Sequence, residues 1–594
     1  MKSWAKRVAV IFAAFGLLLT GCVPAHTHTF DIQSTDEQYL KLAATCQSPA
    51  LFYYSCECGV AGEETFTKGA KTAHKFTEEV AEEKYLKTAA TCQSGAVYYK
   101  SCSVCGKAGN YLHTFATEEL GDHAYTEEVP DFTYVKEEAT MQSSAVFYKT
   151  CVCGLVGEDT FTWGNPLREY TAEEKTAYMP TSLTLSLYEP ENSIYGFTYN
   201  TQERPLRPVL QYSKGETLTD DCEEVAASVK SATSYTKEMV EFTYYIVKLE
   251  VELDPSTTYT YRVYDKYVDI GTETVTMETK DPKATAFSFA HVSDSQVDPT
   301  AYADSGAYFN ATLAQIVGKN DFIVHSGDVV QHSKYEYEWE QMLNRNFQYL
   351  SKIPVMAISG NHENEYNPHG YSETFKHFHN KIPTQDSTVQ GYFYSFTYGN
   401  AKFIMLNTNK AGVTKLETEQ YNWLVEELKN NTATWTIVVM HNPMYSIGKY
   451  GSDPSRNSIC LALRAQLGGL FAQYGVDLVL QGHDHTISRT YPMNASNQPT
   501  SETFKEEGGV AYSVDPAGVI YLMNGPAGNQ ARVAHDGTYD QSIYKYGRAS
   551  VASSWAQISI NGNRLTVSVQ YVSGGQATPY MDTWGIEKTE TAAA

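Results

Sequence analysis

Five short clusters of cation-binding side chains lie between Phe287 and His485: Asp294-Ser295-Gln296, Gly327-Asp328, Gly360-Asn361-His362-Glu363, His441-Asn442-Pro443 and Gly482-His483-Asp484-His485. Carboxylates, imidazoles and neutral amide oxygens form a mixed donor set that suits divalent ions. A single histidine in such a place is usually packed or buried for structural reasons. Five clusters in succession point instead to one shared metal site and to metal-assisted chemistry.

Each cluster stands just past an apolar run. The pattern predicts strands over Phe287 to Ser293, Asp321 to Ser326, Pro354 to Ser359, Lys402 to Asn407, Thr434 to Met440 and Asp477 to Leu480. Between them it predicts helices over Ala307 to Gly318, Tyr335 to Ser351, Leu416 to Lys429 and Ala465 to Tyr474. Alternating strands and amphipathic helices imply an α/β layered fold with sheets at its centre. Ligands in such sheets gather beyond the strand ends, where loops on rigid supports converge. Later apolar runs, Val519 to Met523 and Arg564 to Val569, are expected to complete the second sheet, with a Gly-rich turn from Ser573.

In order and content the five clusters resemble the motifs of the calcineurin-like metallophosphatases. The chain is most similar to the purple acid phosphatase branch, since His441-Asn442-Pro443-Met444-Tyr445 looks like that branch's fourth motif. The resemblance spans roughly Tyr178 to Lys588. It implies a four-layer β-sandwich flanked by helices and a pair of divalent ions (manganese, iron or zinc). The first ion would be held by Asp294, Gln296, Asp328 and His485, the second by Asp328, Asn361, His441 and His483, with Asp328 bridging. A carboxylate has two oxygens and can span ions about 3.5 to 4 Å apart. The family's mechanism is attack on phosphorus by a dimetal-bound hydroxide, with His362, kept off the metals, assisting the reacting oxygens. Two positions depart from the pattern. Gln296 replaces a frequent histidine, and Gln331 stands where purple acid phosphatases have a tyrosine, which implies a colourless enzyme with two divalent ions. Tyr445 is a candidate phosphate contact. His325, His332, His377 and His379 lie near the clusters but match no motif. Cys222 and Cys460 read as lone structural thiols.

The rest of the chain has its own organisation. Residues 1–21 carry Lys2, Lys6, Arg7 and an apolar run too short to span a membrane, which is an export signal. Its end, Leu19-Thr20-Gly21-Cys22, resembles a bacterial lipobox and implies a lipid on Cys22 and a protein tethered at the extracellular face of the cytoplasmic membrane. Residues 22–164 repeat three times (about 26–69, 70–118 and 119–164), the signature of one small unit copied. Copies one and two each supply a histidine and three cysteines: His28, Cys46, Cys56 and Cys58, then His74, Cys92, Cys102 and Cys105. In copy three Met141 replaces the lone cysteine, beside His123, Cys151 and Cys153. Four such donors per copy suit structural zinc; disulfides are the competing reading in an exported protein, although three cysteines leave one unpaired. The array is expected to act as a spacer or to grip cell wall or a protein partner. Residues 165–177 read as a linker. Alternation over 178–282 predicts an all-β domain, and Leu253 to Val263 resembles a late strand of fibronectin type III domains. The metallophosphoesterase domain covers 283–588, and 589–594 read as a disordered tail.

A formal charge of -24 argues against a nucleic-acid surface. The combined reading is an extracellular metal-dependent hydrolase of phosphomonoesters. The alternatives are a phosphodiesterase or nucleotide hydrolase using the same site, and a surface-binding lipoprotein whose catalytic domain is vestigial.

Overall fold

Successive side chains of a strand turn to opposite faces, and in the second half of the chain this builds two sheets packed face to face, whose central strands are buried on both sides. The computed structural model describes residues 27–589 except 111–112, 119, 299–304, 364–370, 384–392, 410–415 and 535–537. The export signal, Cys22 and the tail from 590 therefore lie outside the described residues. Thr589, assigned to that tail, is tied by its backbone N–H to Asp515 at 3.0 Å. The chain divides into two compact units, Met1–Glu127 with Thr150–Gly157, and Glu128–Lys149 with Glu158–Ala594.

In the larger unit one sheet runs, in spatial order, Val355–Ala357, Phe322–His325, Ala286–Val292, Ser554–Asn561, Arg564–Ser573, Trp584–Glu587, Val510–Val514 and Phe504–Glu507. The other runs Tyr394–Tyr398, Ala401–Met405, Trp435–Met440, Leu478–Gln481, Ile520–Asn524, Ile487–Thr490 and Tyr544–Arg548. Their facing sides share one core, in which Phe289 meets Phe403 edge-on at 5.0 Å and Phe322 meets Phe396 at 5.8 Å. Outward-turned Ala290, Val292, Ile323 and Val355 are covered by Phe309 and Leu313 of the helix Ser305–Ile316 and by Trp339 of the helix Glu336–Leu343. On the opposite side Leu424 and Leu428 of Thr418–Lys429, with Leu463, Leu467 and Phe471 of Ser458–Gln473, cover Ile404, Val438 and Val479. The layers are helix, sheet, sheet, helix.

Three expectations are corrected. The helix predicted over Tyr335 to Ser351 is two, Glu336–Leu343 and Phe347–Leu350. The Asn346 amide donates to the Met342 carbonyl at 2.6 Å, and the Asn344 side chain accepts the Ser182 N–H at 2.7 Å, so the turn between them is fixed by side chains. The helix predicted from Ala465 starts at Ser458, after an Asn457 that makes no capping bond. Beyond Gly574 and Gly575 the chain returns as two further strands, Gln576–Pro579 and Trp584–Glu587.

Residues 181–278 form a second, smaller sandwich within the same unit. A four-stranded sheet (Thr181–Glu189, Ile194–Thr201, Glu241–Glu252, Ser228–Tyr235) faces one built on Pro208–Lys214 and Thr258–Asp265, and Phe197 meets Tyr261 between them at 5.1 Å. The Tyr261 hydroxyl donates to the Ser351 carbonyl at 2.6 Å, fastening this sandwich to the domain that follows. The stretch 165–177 contains a short helix, Ala172–Thr176, closed by a capping box between Thr171 and Glu174.

In the smaller unit copies one and two are meagrely cored, whereas most of copy three belongs to the larger unit, where Phe132 and Phe147 pack with Trp163 and Tyr267. Copy one is a three-stranded sheet (Leu40–Leu42, Ala50–Ser55, Ala61–Lys68) over Tyr39, Phe52 and Phe66. The same details recur in copy two, where Tyr85 donates to Gly106 as Tyr39 does to Gly59. The cysteines are free thiols, and their grouping corrects the within-copy sets: Cys46 lies with His74, Cys102 and Cys105, and Cys92 with His123, Cys151 and Cys153, leaving His28, Cys56 and Cys58 as a set of three. Sequence spacing could not reveal this, because it does not say which neighbour a loop-tip cysteine faces.

Candidate metal centre

Three parallel, adjacent strands of the first sheet deliver the first three clusters. Ala286–Val292 leads to Asp294 and Gln296, Phe322–His325 to Asp328, and Val355–Ala357 to Asn361 and His362. Two parallel neighbours of the second sheet, Trp435–Met440 and Leu478–Gln481, lead to His441 and to His483 and His485. All five loops thus leave strand ends on one edge of the double sheet, and all seven predicted ligands come together there.

Asp328 is the hub. Its carboxylate belongs to two groups whose donor atoms lie within 4.8 Å of one another: Asp294, Asp328 and His485, and Asp328, His441 and His483. Asp328 Oδ2 is 3.2 Å from His441 Nε2 and 3.5 Å from the Gln296 amide nitrogen. His485 Nε2 is 3.0 Å from Asp294 Oδ1, and Asn361 Oδ1 is 3.1 Å from His441 Nε2.

The backbone is bent to achieve this. Asp294 (φ 53°), Gln296 (37°), Asp328 (54°), His483 (74°) and His485 (52°) all occupy the left-handed region. That conformation costs roughly 1–2 kcal/mol for a residue with a Cβ and persists where surrounding contacts over-determine it. Two glycines make room. A Cβ on Gly360 would fall 2.1 Å from Asp328 Oδ1, and one on Gly482 would fall 2.1 Å from Ser293 Oγ and 3.1 Å from His441 Nδ1.

Hydrogen bonds behind the ligands settle which atoms face inward. His441 Nδ1 donates to the Ser326 carbonyl at 2.8 Å and His485 Nδ1 to the Gln530 carbonyl at 2.6 Å. A carbonyl only accepts, so the proton is on Nδ1 and the Nε2 lone pair is left to ligate. His485 Nε2 and Gln296 Oε1 are both buried without a hydrogen-bond partner. Orphaned acceptors beside two buried carboxylates are what a cation site requires.

The charges say the same. Burial opposes charging of Asp294, yet His485 draws its carboxyl down to about 2; His441 and His362 likewise hold Asp328 far below the usual carboxylate range against burial. Burial alone would depress His441, but the Asp328 carboxylate raises it to about 9. Without a cation the carboxylates thus recruit a proton on the nearest imidazole. Burial, and then His441, pushes His483 down to about 3, the neutral form that ligates.

Residues 287–486 match the family model described as calcineurin-like phosphoesterase. That stretch, which holds all five ligand clusters, is similar to the metallophosphatases. Purple acid phosphatase 23 of Arabidopsis thaliana is 27% identical over 314 residues, covering 48% of this chain and 62% of that protein. The phosphoenolpyruvate phosphatase of Allium cepa is 27% identical over 265 residues, 42% of this chain and 52% of that one. This chain therefore spans about half to three-fifths of the length of these relatives. Among solved structures, the purple acid phosphatase PPD1 from yellow lupin (Lupinus luteus) seeds superposes with a TM-score of 0.55 at 16% identity, over 72% of this chain and 76% of that one, which shows a shared fold.

The other residues singled out from the sequence sort by contact. His362 is half-buried at the mouth, its Nε2 3.9 Å from Asp328 Oδ2 and its Nδ1 2.9 Å from the Gln331 carbonyl. Gln331 is itself held by the Gln530 amide at 3.2 Å. Tyr445, a candidate phosphate contact, is corrected to a packing role: its ring is buried against Tyr521 and its hydroxyl donates to Asn497 at 3.2 Å. The four unmatched histidines have other partners: His325 pairs with Ser295, His332 with Glu338, His377 with Glu336, and His379 with Glu250. Cys222 makes no disulfide, and Cys460, also free, is buried with its thiol on the Tyr450 carbonyl.

Three residues escaped the sequence reading. Glu363 is fully buried behind Asp328 and accepts the N–H groups of Gly360 (2.6 Å), Asp328 (2.9 Å) and Val329 (2.9 Å). Burial, and then repulsion from Asp328, pushes its carboxyl up to about 7, while the Gly360 N–H pulls the other way. Tyr450 lays its ring 4.3 Å from that of His483, and the Arg532 guanidinium donates to the His483 carbonyl at 3.4 Å. Glu363 was visible as the last letter of its cluster; Tyr450, in the short helix Lys449–Ser452, and Arg532, in a loop, belong to no motif.

Proposed function

We propose that the chain is a metal-dependent phosphatase that hydrolyses phosphomonoesters at a two-ion centre. One ion is assigned to Asp294, Gln296, Asp328 and His485, the other to Asp328, Asn361, His441 and His483. The observation that carries this is the shared Asp328: two donor groups meet at one carboxylate, and two orphaned acceptors face the same space. When bound, two such ions polarise a phosphoryl oxygen and lower the pKa of water toward neutrality.

The chain's own residues do the rest. The left-handed backbone at the strand ends holds the donors before substrate arrives, so little reorganisation accompanies the reaction. His362, with Nδ1 on the Gln331 carbonyl, points Nε2 toward the centre and in its protonated form can donate to a phosphoryl or leaving oxygen. Arg532 adds positive charge beside His483 and orients the anion. Gln331 offers no phenolate, which favours two divalent ions over a ferric one.

Cleavage of nitrophenyl phosphate and bis-nitrophenyl phosphate in added manganese, in parent and Asp328→Asn, tests the reading. Strong monoester cleavage abolished by the substitution is expected; preference for the diester would make the enzyme a phosphodiesterase. Failure to cleave either ester with any divalent ion would leave the vestigial, surface-binding alternative. We assign the protein to the outer face of the membrane through a lipid on Cys22, and the sandwich at 178–282 to the fibronectin type III class; release of Cys22→Ser from the membrane fraction would support the anchor.

A further inference from the structure

We infer that the repeats bind two structural zinc ions, each clamped between one copy and the next. The first site is Cys46 of copy one with His74, Cys102 and Cys105 of copy two; the second is Cys92 of copy two with His123, Cys151 and Cys153 of copy three. A tetrahedral zinc with bonds of about 2.3 Å to sulfur and about 2.05 Å to nitrogen sets its ligands about 3.8 Å apart for two sulfurs and about 3.5 Å for sulfur and nitrogen. Cys46 and Cys102 sulfurs are 3.8 Å apart, Cys105 is 3.3 Å from His74 Nδ1, Cys92 is 3.3 Å from Cys151, and Cys153 is 3.4 Å from His123 Nδ1. The thiols are free, and three per site cannot pair off among themselves.

The surrounding structure is built to present these atoms. In each copy a threonine oxygen accepts the N–H groups of the residues two and three places on, Thr45 those of Gln47 and Ser48, Thr91 those of Gln93 and Ser94. The tight turn holds Cys46 or Cys92 at its tip. The histidine ring is braced by the aromatic two places later, His74 by Phe76 at 5.6 Å and His123 by Tyr125 at 6.1 Å. Copy three forms the same turn on Thr140, but its tip is Met141, which is 59% exposed. A fourth copy does not follow, so a thiol there would have no site to complete. His28, Cys56 and Cys58 hold three donors and, among the described residues, no cysteine from an earlier copy. The three-aromatic core of copy one is too small to hold that unit alone, and a zinc shared through Cys46 supplies folding free energy by tying it to copy two.

Zinc content of the full mature chain, measured for the parent and for cysteine variants, tests the assignment. Cys46→Ser and Cys102→Ser should each lose about one zinc, and the double variant no more than either alone. Cys46→Ser with Cys92→Ser should lose two. If the sites were instead confined to single copies, Cys46→Ser and Cys102→Ser would be additive, overturning the shared arrangement. Cobalt loading of the unsubstituted chain guards against variants that misfold. Thiolate-to-cobalt charge transfer reports the repeats alone, since the catalytic centre has no sulfur donor, and it should saturate with at least two equivalents. Absence of that band, or disulfides found by mass in the unreduced protein, would refute the proposal.

Discussion

Replacing Glu363 with glutamine tests whether the buried carboxylate behind Asp328 sets the metal affinity. Its Oε2 accepts the N–H groups of Gly360 and Asp328, at 2.6 and 2.9 Å, and its Oε1 accepts that of Val329 at 2.9 Å. Glutamine keeps one oxygen, so whichever way the amide turns, its NH2 confronts at least one backbone N–H. An orphaned buried donor costs about 1–3 kcal/mol. The strain falls on the loop that carries Asp328 and Gly360, where a displaced carboxylate serves both proposed ions. Groups that orient metal ligands are typically worth 10–100-fold in affinity, which is about 1.4–2.8 kcal/mol and agrees with the hydrogen-bond figure. Manganese titrated into metal-free parent and Glu363→Gln, followed by calorimetry and by phosphatase rate, should show the midpoint rising 10–100-fold. A variant that loses thermal stability but binds manganese as tightly as the parent would refute the reasoning and reduce Glu363 to a packing role.

The remaining predictions follow from the same site. Arg532→Ala should raise KM for a phosphomonoester roughly 10–100-fold, the worth of a hydrogen bond to a charged group, with a smaller change in kcat; an unchanged KM would take the guanidinium out of the pocket. Gly482→Ala, whose new Cβ would sit 2.1 Å from Ser293 Oγ, should destabilise the fold by about 1–3 kcal/mol and weaken metal binding, read by thermal melting with and without manganese. The purified protein should show no visible absorption band, because Gln331 cannot form an iron phenolate; a band of that type would contradict the assignment of two divalent ions.

The catalytic half was legible because its signals are local. An apolar run followed by Asp, His or Asn marks a strand end, and Asp294, Gln296, Asp328, Asn361, His441, His483 and His485 all fall where such ends converge. What sequence could not supply was non-local. The strand Trp584–Glu587 pairs in parallel with Val510–Val514 across some seventy residues, and nothing in four residues announces that. The break in the helix after Leu343 depends on the Asn344 side chain meeting the Ser182 N–H of another domain. Tyr445 misled because its motif fixes the backbone, whereas Asn497, brought in by a distant loop, decides where the hydroxyl points. In the repeats, composition named the donors, but only the fold could say that a thiol serves the neighbouring copy.

That forward loan of a thiol gives the array a direction. Each unit completes the one downstream: among the described residues copy one receives no thiol from an earlier copy, and copy three, with Met141 at its turn, lends none. Another unit spliced between the first and second would find a donor waiting and offer its own in turn, so the array could lengthen by duplication without stranding a ligand. Loss of the last unit would do the opposite, leaving Cys92 without His123, Cys151 and Cys153, the donors its site needs.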